Sequence, residues 1–284
     1  MLSRALRSLS LAVALCVTGA AAARPQTNAL PPVSAAGGKI HIRAVGPIAI
    51  TVEDMDRSVD FYTHVLTFEK ISDTEVAGDE VEHLFGVFGS RVRIVTLKLG
   101  SESIELLQFL APKGRPIPVD SRSNDVDPKW QHTGDRLFLG IDHTAIVVSD
   151  TDASLRFYHD LLGLRIAGAS ENYGTEQEHL NNVFGARLRI TASCAPSGPG
   201  IGLLEDLSPR DGRAIPVDEH ANDLVHRETQ LETENPDAAT EPLRMAKTNF
   251  ISDGLVSFHG PRLGFTRGFV VRDPDGHAIS IVQR

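Results

Sequence analysis

The sequence predicts an α+β protein built from three tandem β-α-β-β-β units. The first observation is an internal repeat, since residues 80–94 and 176–190 are identical at ten of 15 positions with an offset of 96. The second is an alternation of β-branched strand segments with segments of helical spacing in each copy. An offset this large indicates a duplicated unit of domain size, because solenoid repeats are about 20–50 residues long.

The first unit opens with a β-branched, apolar segment at 48–52, which predicts a strand. Met55, Val59, Tyr62 and Leu66 follow at helical spacing. Three further strands and a helical turn in the repeated E-x-E-H-L motif complete the unit. The strands are expected at 68–74, 91–99 and 103–110.

The second unit repeats this order from the strand at 144–148, and the third is a diverged copy. In the third unit, residues 228–233 take the first-strand position and Pro236-Asp237 opens a helix. Strands at 268–272 and 278–282 then form a hairpin across Asp273-Pro274-Asp275-Gly276. The mature chain is therefore expected to hold three units.

The first 23 residues predict a signal peptide. Arg4 and Arg7 precede an apolar run, and small residues at 21–23 suit signal peptidase. A cleaved export signal is favoured over a retained anchor or a form lipidated at Cys16, and it places the protein in the periplasm or outside the cell. Residues 24–43 are rich in proline and glycine and predict a flexible linker.

Charge and cysteine content exclude several classes of protein. With 28 basic and 37 acidic residues, the chain has a net charge of −9, which argues against a nucleic-acid partner. Two cysteines exclude a disulfide scaffold and a cysteine-based zinc cluster. Once the signal is cleaved, no segment predicts a membrane partner, so the expected partner is a small-molecule substrate or ligand.

Four motifs in order carry a resemblance to a known family. They are a first strand ending in Asp, S-[LV]-x-F-Y in the helix, L-G-L, and a closing D-P-D-G-H strand pair. Together they resemble the vicinal oxygen chelate superfamily, which includes glyoxalase I, bleomycin resistance proteins and extradiol dioxygenases. The resemblance covers residues 45–284 and implies a cupped, half-open barrel formed by paired units.

The resemblance also implies a divalent metal ion, such as Zn, Ni, Fe or Mn, held in the cup. Its ligands would be a His or Gln on the first strand and a Glu on the last strand of each unit. No unit of this chain carries both. The positions are Pro47 and Glu105 in the first unit, His143 and Gly202 in the second, and Glu228 and Ser280 in the third. The implied ligands are thus His143, Glu228 and Glu105, with Glu105 and Glu228 as the catalytic carboxylates.

The same residues have other interpretations. Glu105 interrupts an apolar strand and therefore needs a cation, a metal or a proton, or else an arginine partner at the strand edge. His143 opens an apolar strand and is either a metal ligand or a structural histidine with satisfied hydrogen bonds. Glu228 lies in a polar segment, which favours a solvated surface carboxylate.

The leading functional hypothesis is a glyoxalase-like, metal-dependent lyase or isomerase that acts on a small oxygenated substrate. The alternative is a metal-free binding protein of the bleomycin-resistance type, and an extradiol dioxygenase ranks third. A dioxygenase would need a second histidine at Pro47 or Glu228 to complete a two-His, one-carboxylate iron site.

Three units in a family that pairs them leave one unit over. We expect unit 1 at 44–125, a linker at 126–139, and units 2 and 3 paired within 140–284. Unit 1 would then pair with a second copy in a homodimer, or leave a sheet face exposed.

Overall fold

The computed structural model describes residues 40–115, 140–259 and 263–284. The expected signal at 1–23 and the expected linker at 126–139 lie outside these ranges and stay predictions. Within the described ranges, no helix is both long enough and apolar enough to cross a membrane.

All three units have the expected order of elements. The first comprises β1 (Ile42–Thr51), α1 (Met55–Asp60) continued by a π-helical turn (Phe61–Val65), β2 (Glu69–Ala77), α2 (Asp79–Phe85), β3 (Arg91–Leu99) and β4 (Glu102–Ala111). The second comprises β5 (His143–Val147), α3 (Thr151–Leu155) continued by a π-helical turn (Arg156–Leu161), β6 (Arg165–Tyr173), α4 (Thr175–Asn181), β7 (Arg187–Cys194) and β8 (Gly200–Ser208). The third comprises β9 (Arg227–Thr233), α5 (Pro236–Met245), β10 (Val256–Ser257), β11 (Arg267–Arg272) and β12 (Ala278–Gln283).

The aspartate after each first strand is a helix cap. Asp54 accepts a hydrogen bond from the backbone N–H of Arg57 at 3.0 Å, and Asp150 accepts from Asp152 and Ala153. Asn235 takes the same role before α5. Each cap satisfies backbone donors that the first helical turn leaves free, so the chain turns from strand to helix at the same point in each unit.

The first and third units share one eight-stranded sheet in the order β10-β11-β12-β9-β1-β4-β3-β2. The two halves join through antiparallel pairing of β1 with β9, from Ile42 opposite Thr233 to Ile50 opposite Arg227. This arrangement differs from the expected one, in which units 2 and 3 paired and unit 1 was left over. In this sheet β9 occupies the edge of β1 that lies opposite β4. The expected homodimer through unit 1 stays a prediction.

The difference has a physical origin at the start of β1. Residues 24–43 were expected to be a linker, yet Ile40 and Ile42 are buried and Ile42 already lies in β1. This early part extends the edge of β1 to ten residues, twice the length of β5, and gives β9 a longer strand to pair with. The first unit thus begins earlier than the predicted residue 44. Its first strand pairs with unit 3, which is distant in the sequence, rather than leaving unit 3 to pair with the adjacent unit 2.

The second unit forms a separate four-stranded sheet in the order β5-β8-β7-β6. It packs against the third unit through an apolar core that also includes the start of β1. Among the residues of that core are Ile40, Ile42, Tyr158, Leu162, Ile201, Leu203, Leu231, Leu243, Phe269 and Ile281. The Tyr158 hydroxyl donates to Asp273 at 2.9 Å and ties unit 2 to the hairpin of unit 3.

Leu231 tests this shared core, because it lies on β9 and is fully buried. We expect Leu231→Ala to lower the free energy of unfolding by about 3 kcal/mol, from lost burial and the cavity left behind. Leu180→Ala is the matched control, since Leu180 is 38% exposed and should change stability by less than about 1 kcal/mol. Urea unfolding followed by circular dichroism measures both variants, and equal losses would contradict the shared core.

Candidate active site

The two carboxylates predicted for the site both lie at the junction of units 1 and 3. Ala49 on β1 lies opposite Glu105 on β4 and opposite Glu228 on β9. Glu105 and Glu228 therefore flank the same alanine, about 10 Å apart at their α-carbons, which is two strand spacings. The β1–β9 pairing thus brings together residues 123 positions apart in the sequence.

A cavity of about 530 Å³ opens beside Glu105. Hydroxyl groups line much of it, from Ser72, Thr74, Thr96 and Ser103. The charged groups of its lining are Glu102, Glu105, Glu232 and Arg284. This mixture suits a small ligand that carries several oxygen atoms.

The second unit closes one wall of the cavity with the loop before β8. Gly198 and Pro199 line the cavity, and the backbone N–H of Val45 donates to the Ser197 carbonyl at 3.0 Å. Gly198 has a φ of 89°, and a Cβ there would lie 2.0 Å from the Val45 carbonyl oxygen. Only glycine fits this close approach, so the loop holds unit 2 against β1 at the cavity.

The environment of Glu105 favours its protonated form. Burial raises the pKa of its carboxyl group most, the negative charge of Glu228 raises it further, and Arg284 opposes both. The pKa reaches about 7. A carboxyl group with such a pKa exchanges protons readily near neutral pH, as a general acid or base requires.

Glu228 is buried at 7% exposure, so it is not the solvated surface carboxylate that its polar neighbours favoured. It is the last member of a buried row of ionisable side chains. His226 Nδ1 lies 2.7 Å from Glu219 Oε1, and its Nε2 lies 3.7 Å from Glu228 Oε2. Arg272 forms an ion pair with Glu219 at the far end.

Hydrogen bonding and charge favour the ionised forms of His226 and Glu219 despite their burial. Burial lowers the pKa of His226, but the hydrogen bond with Glu219 and the negative charges of Glu219 and Glu228 outweigh it and raise the pKa overall. Burial likewise raises the pKa of Glu219, yet His226 and Arg272 bring it below its ordinary value. The imidazolium of His226 therefore stands between two buried carboxylates and compensates their charge.

His226 and Glu219 were not predicted, because neither lies at a first-strand or last-strand ligand position of the family pattern. A signal was present. His226 lies two residues before Glu228, and side chains two residues apart in an extended segment point to the same side. Glu219 carried no comparable signal, because it reaches His226 from a separate turn.

His143 does not join Glu105 and Glu228. It opens β5 in the separate sheet of unit 2, and it is not among the residues that line the cavity. Its Nδ1 lies 2.8 Å from Asp142 Oδ2. Both interpretations of His143 allow this contact, because a metal-bound histidine also donates its second ring N–H to a carboxylate.

Comparison with known proteins identifies the family. The family model described as Glyoxalase/Bleomycin resistance protein/Dioxygenase superfamily matches residues 44–135 and 140–281. The chain belongs to this superfamily. The resemblance seen in the four motifs is thereby confirmed, as is the α+β fold with its curled sheet.

Individual members of the glyoxalase superfamily share little sequence identity with this chain. A 2-epi-5-epi-valiolone epimerase from an Actinomyces species is 32% identical over 135 residues, which are 45% of this chain and 64% of that protein. A mutant glyoxalase I from Zea mays has a TM-score of 0.50 at 13% identity, covering 84% of this chain and 93% of that one. A glyoxalase family protein from Bacillus cereus has a TM-score of 0.44 at 19% identity, covering 54% of this chain and 98% of that one.

Glyoxalase superfamily members commonly use divalent metals, but the residues of this site do not supply a matching set of ligands. Of the four expected positions at the joined sheet, Pro47 has no donor atom and Ser280 offers only a hydroxyl group. Glu105 and Glu228 remain. Across the described ranges, no group of three or more His, Cys, Asp or Glu side chains is arranged to hold a metal ion.

The buried ionisable groups around His226 predict that His226→Asn lowers the free energy of unfolding by an amount that depends on pH. A histidine with a raised pKa stabilises the fold fully below about pH 6.5, and that contribution is lost as the pH rises through the raised value. We expect the variant to lose about 3 kcal/mol at pH 6, because Glu219 and Glu228 lose their shared cation, and less at pH 9. Urea unfolding at both pH values measures this loss. His179→Asn is the exposed control, and an equal cost at both pH values would contradict the charged row.

Proposed function

We propose that this protein is a glyoxalase-like enzyme that moves a proton next to a carbonyl group of a small oxygenated substrate. Glu105 carries the proposal, because it combines a pKa of about 7 with a place in the cavity wall. General bases work best when their pKa lies near the operating pH, and burial provides that shift here.

The surroundings of Glu105 support the same chemistry. The hydroxyl groups of Ser72, Thr74, Thr96 and Ser103 offer hydrogen bonds to hydroxyl or carbonyl oxygens of a substrate. The charge of Glu228 raises the pKa of the Glu105 carboxyl group and so adds to the effect of burial. The distant relative named as an epimerase supports the proposal, since inverting a carbon centre next to a carbonyl requires removing and returning a proton.

A second candidate function is binding without reaction. It is favoured by Pro47 and Ser280, which stand at two of the four expected ligand positions and cannot replace a His–Glu set. In this alternative, Glu105 would accept or donate a hydrogen bond to the ligand without moving a carbon-bound proton.

Exchange of carbon-bound protons in D₂O separates the two functions. The purified protein is incubated with a panel of α-hydroxy ketones and ketoses, and ¹H NMR follows loss of the proton next to the carbonyl. We expect exchange that Glu105→Gln slows at least about 100-fold, because the amide cannot accept the proton. The rate should rise with pH through about 7, since only the ionised carboxylate acts as the base.

Glu75→Gln is the matched control, because Glu75 lies on β2 of the same unit and pairs with Arg91 away from the cavity. It should exchange protons at the wild-type rate. Exchange that persists in Glu105→Gln would contradict the role of Glu105. Saturable binding with no exchange for any member of the panel would support the binding protein instead.

A further inference from the structure

We propose that Arg284 is the electrophile of this site, donating hydrogen bonds to the carbonyl oxygen of the substrate while Glu105 takes the neighbouring proton. The inference rests on the proposed function and assigns the group that stabilises the negative charge developing on the carbonyl oxygen. Arg284 follows β12 directly and lines the same cavity as Glu105.

The guanidinium group of Arg284 is anchored on one side. Its Nε donates to Glu232 Oε1 at 2.6 Å, and its Nη2 donates to Gln230 Oε1 at 2.9 Å. Gln230 is buried at 3% exposure, so this anchor is fixed in the sheet. Within the described part of the chain, Nη1 has no hydrogen-bond partner, which leaves donors for a ligand.

The charge of Arg284 is not fully neutralised by its anchor. Glu232 also pairs with Arg43 at 3.4 Å, so one carboxylate is shared between two guanidinium groups. The positive charge reaches Glu105, whose pKa it lowers against the effect of burial. A donor fixed before the reaction and placed where negative charge develops stabilises a transition state strongly.

The balance of charge around the cavity narrows the substrate class. Glu102, Glu105 and Glu232 line it, Glu228 lies close by, and Arg284 is the one cationic side chain among the described lining residues. This excess of acid disfavours a carboxylate or phosphate substrate. The structure therefore points to a neutral α-hydroxy ketone or ketose, which becomes negative only during the reaction.

The proposed step balances without an oxidant or reductant. The carboxylate of Glu105 takes the proton from the carbon beside the carbonyl, and the electrons of that C–H bond form a carbon–carbon double bond. The π electrons of the carbonyl move onto its oxygen, where Arg284 holds the negative charge. Glu105 then returns its proton to the same carbon, and the electrons on the oxygen re-form the carbonyl. When the proton of the neighbouring hydroxyl group moves to the oxygen held by Arg284, Glu105 protonates the former carbonyl carbon instead and the isomer forms.

Binding of a planar analogue of the enediolate tests Arg284 without turnover. Glycolohydroxamate is titrated into the full chain by isothermal calorimetry in the presence of EDTA, so that chelation of stray metal plays no part. We expect Arg284→Gln to weaken binding at least about tenfold, since it removes charge-assisted hydrogen bonds to the analogue oxygen. The affinity of Arg284→Lys for glycolohydroxamate should lie between that of the wild type and that of Arg284→Gln, because lysine keeps the charge and loses the planar fork of donors.

Arg267→Gln is the matched control. Arg267 has a similar exposed fraction, 36% against 38%, and pairs with Asp237 outside the cavity. It should bind glycolohydroxamate as the wild type does. Equal binding by Arg284→Gln and the wild type, equal weakening by Arg267→Gln, or no binding by the wild type would each overturn the assignment.

The exchange assay keeps this inference separate from the proposed function. Proton exchange that survives in Arg284→Gln would overturn the role of Arg284 and leave Glu105 as the base. Hydroxamate binding that depends on Arg284, with no exchange on any substrate, would overturn the proposed reaction and support Arg284 as the residue that binds the ligand oxygen.

Discussion

The antiparallel pairing of β1 with β9 is the interaction on which the site depends. It joins two four-stranded sheets into one of eight strands and places Ala49 between Glu105 and Glu228. Without it, the two carboxylates would belong to separate units with no electrostatic contact. Unit 2 supports the pairing from the side, through the loop at Gly198 and through the apolar core shared with unit 3. The duplication therefore gives one joined pair of units, and a third that braces it.

Burial of charge gives the joined sheet its chemistry. A carboxyl group withdrawn from water retains its proton longer, and a neighbouring negative charge strengthens this effect. Glu105 experiences both, while Glu228 is compensated by the buried imidazolium of His226. Two adjacent carboxylates thus have different environments and different roles. Arg284 adds a fixed cation to the same cavity, where the side chains that the structure describes do not form a metal centre.

Much of this could be predicted from the sequence, because strands and helices leave periodic patterns that survive duplication. The third unit was identified from weak similarity, and its strand at Arg227–Thr233 and helix at Pro236–Met245 are close to the predicted ranges. The pairing of units could not be predicted, because it depends on which sheet edges are long enough to join. His226 and Arg284 were missed for a related reason, since their roles arise from contacts across strands and turns rather than from a motif.

Titration of the Glu105 carboxyl group by ¹³C NMR, with ¹³C-labelled glutamate, is the most direct test of a base tuned by burial and by Glu228. The resonance is assigned by its loss in Glu105→Gln. In the wild type we expect a midpoint near pH 7, and in Glu228→Gln a lower midpoint, because one of the charges that raises the pKa is gone. A wild-type midpoint at the ordinary glutamate value of 4.5, or a midpoint that Glu228→Gln leaves unchanged, would contradict the account.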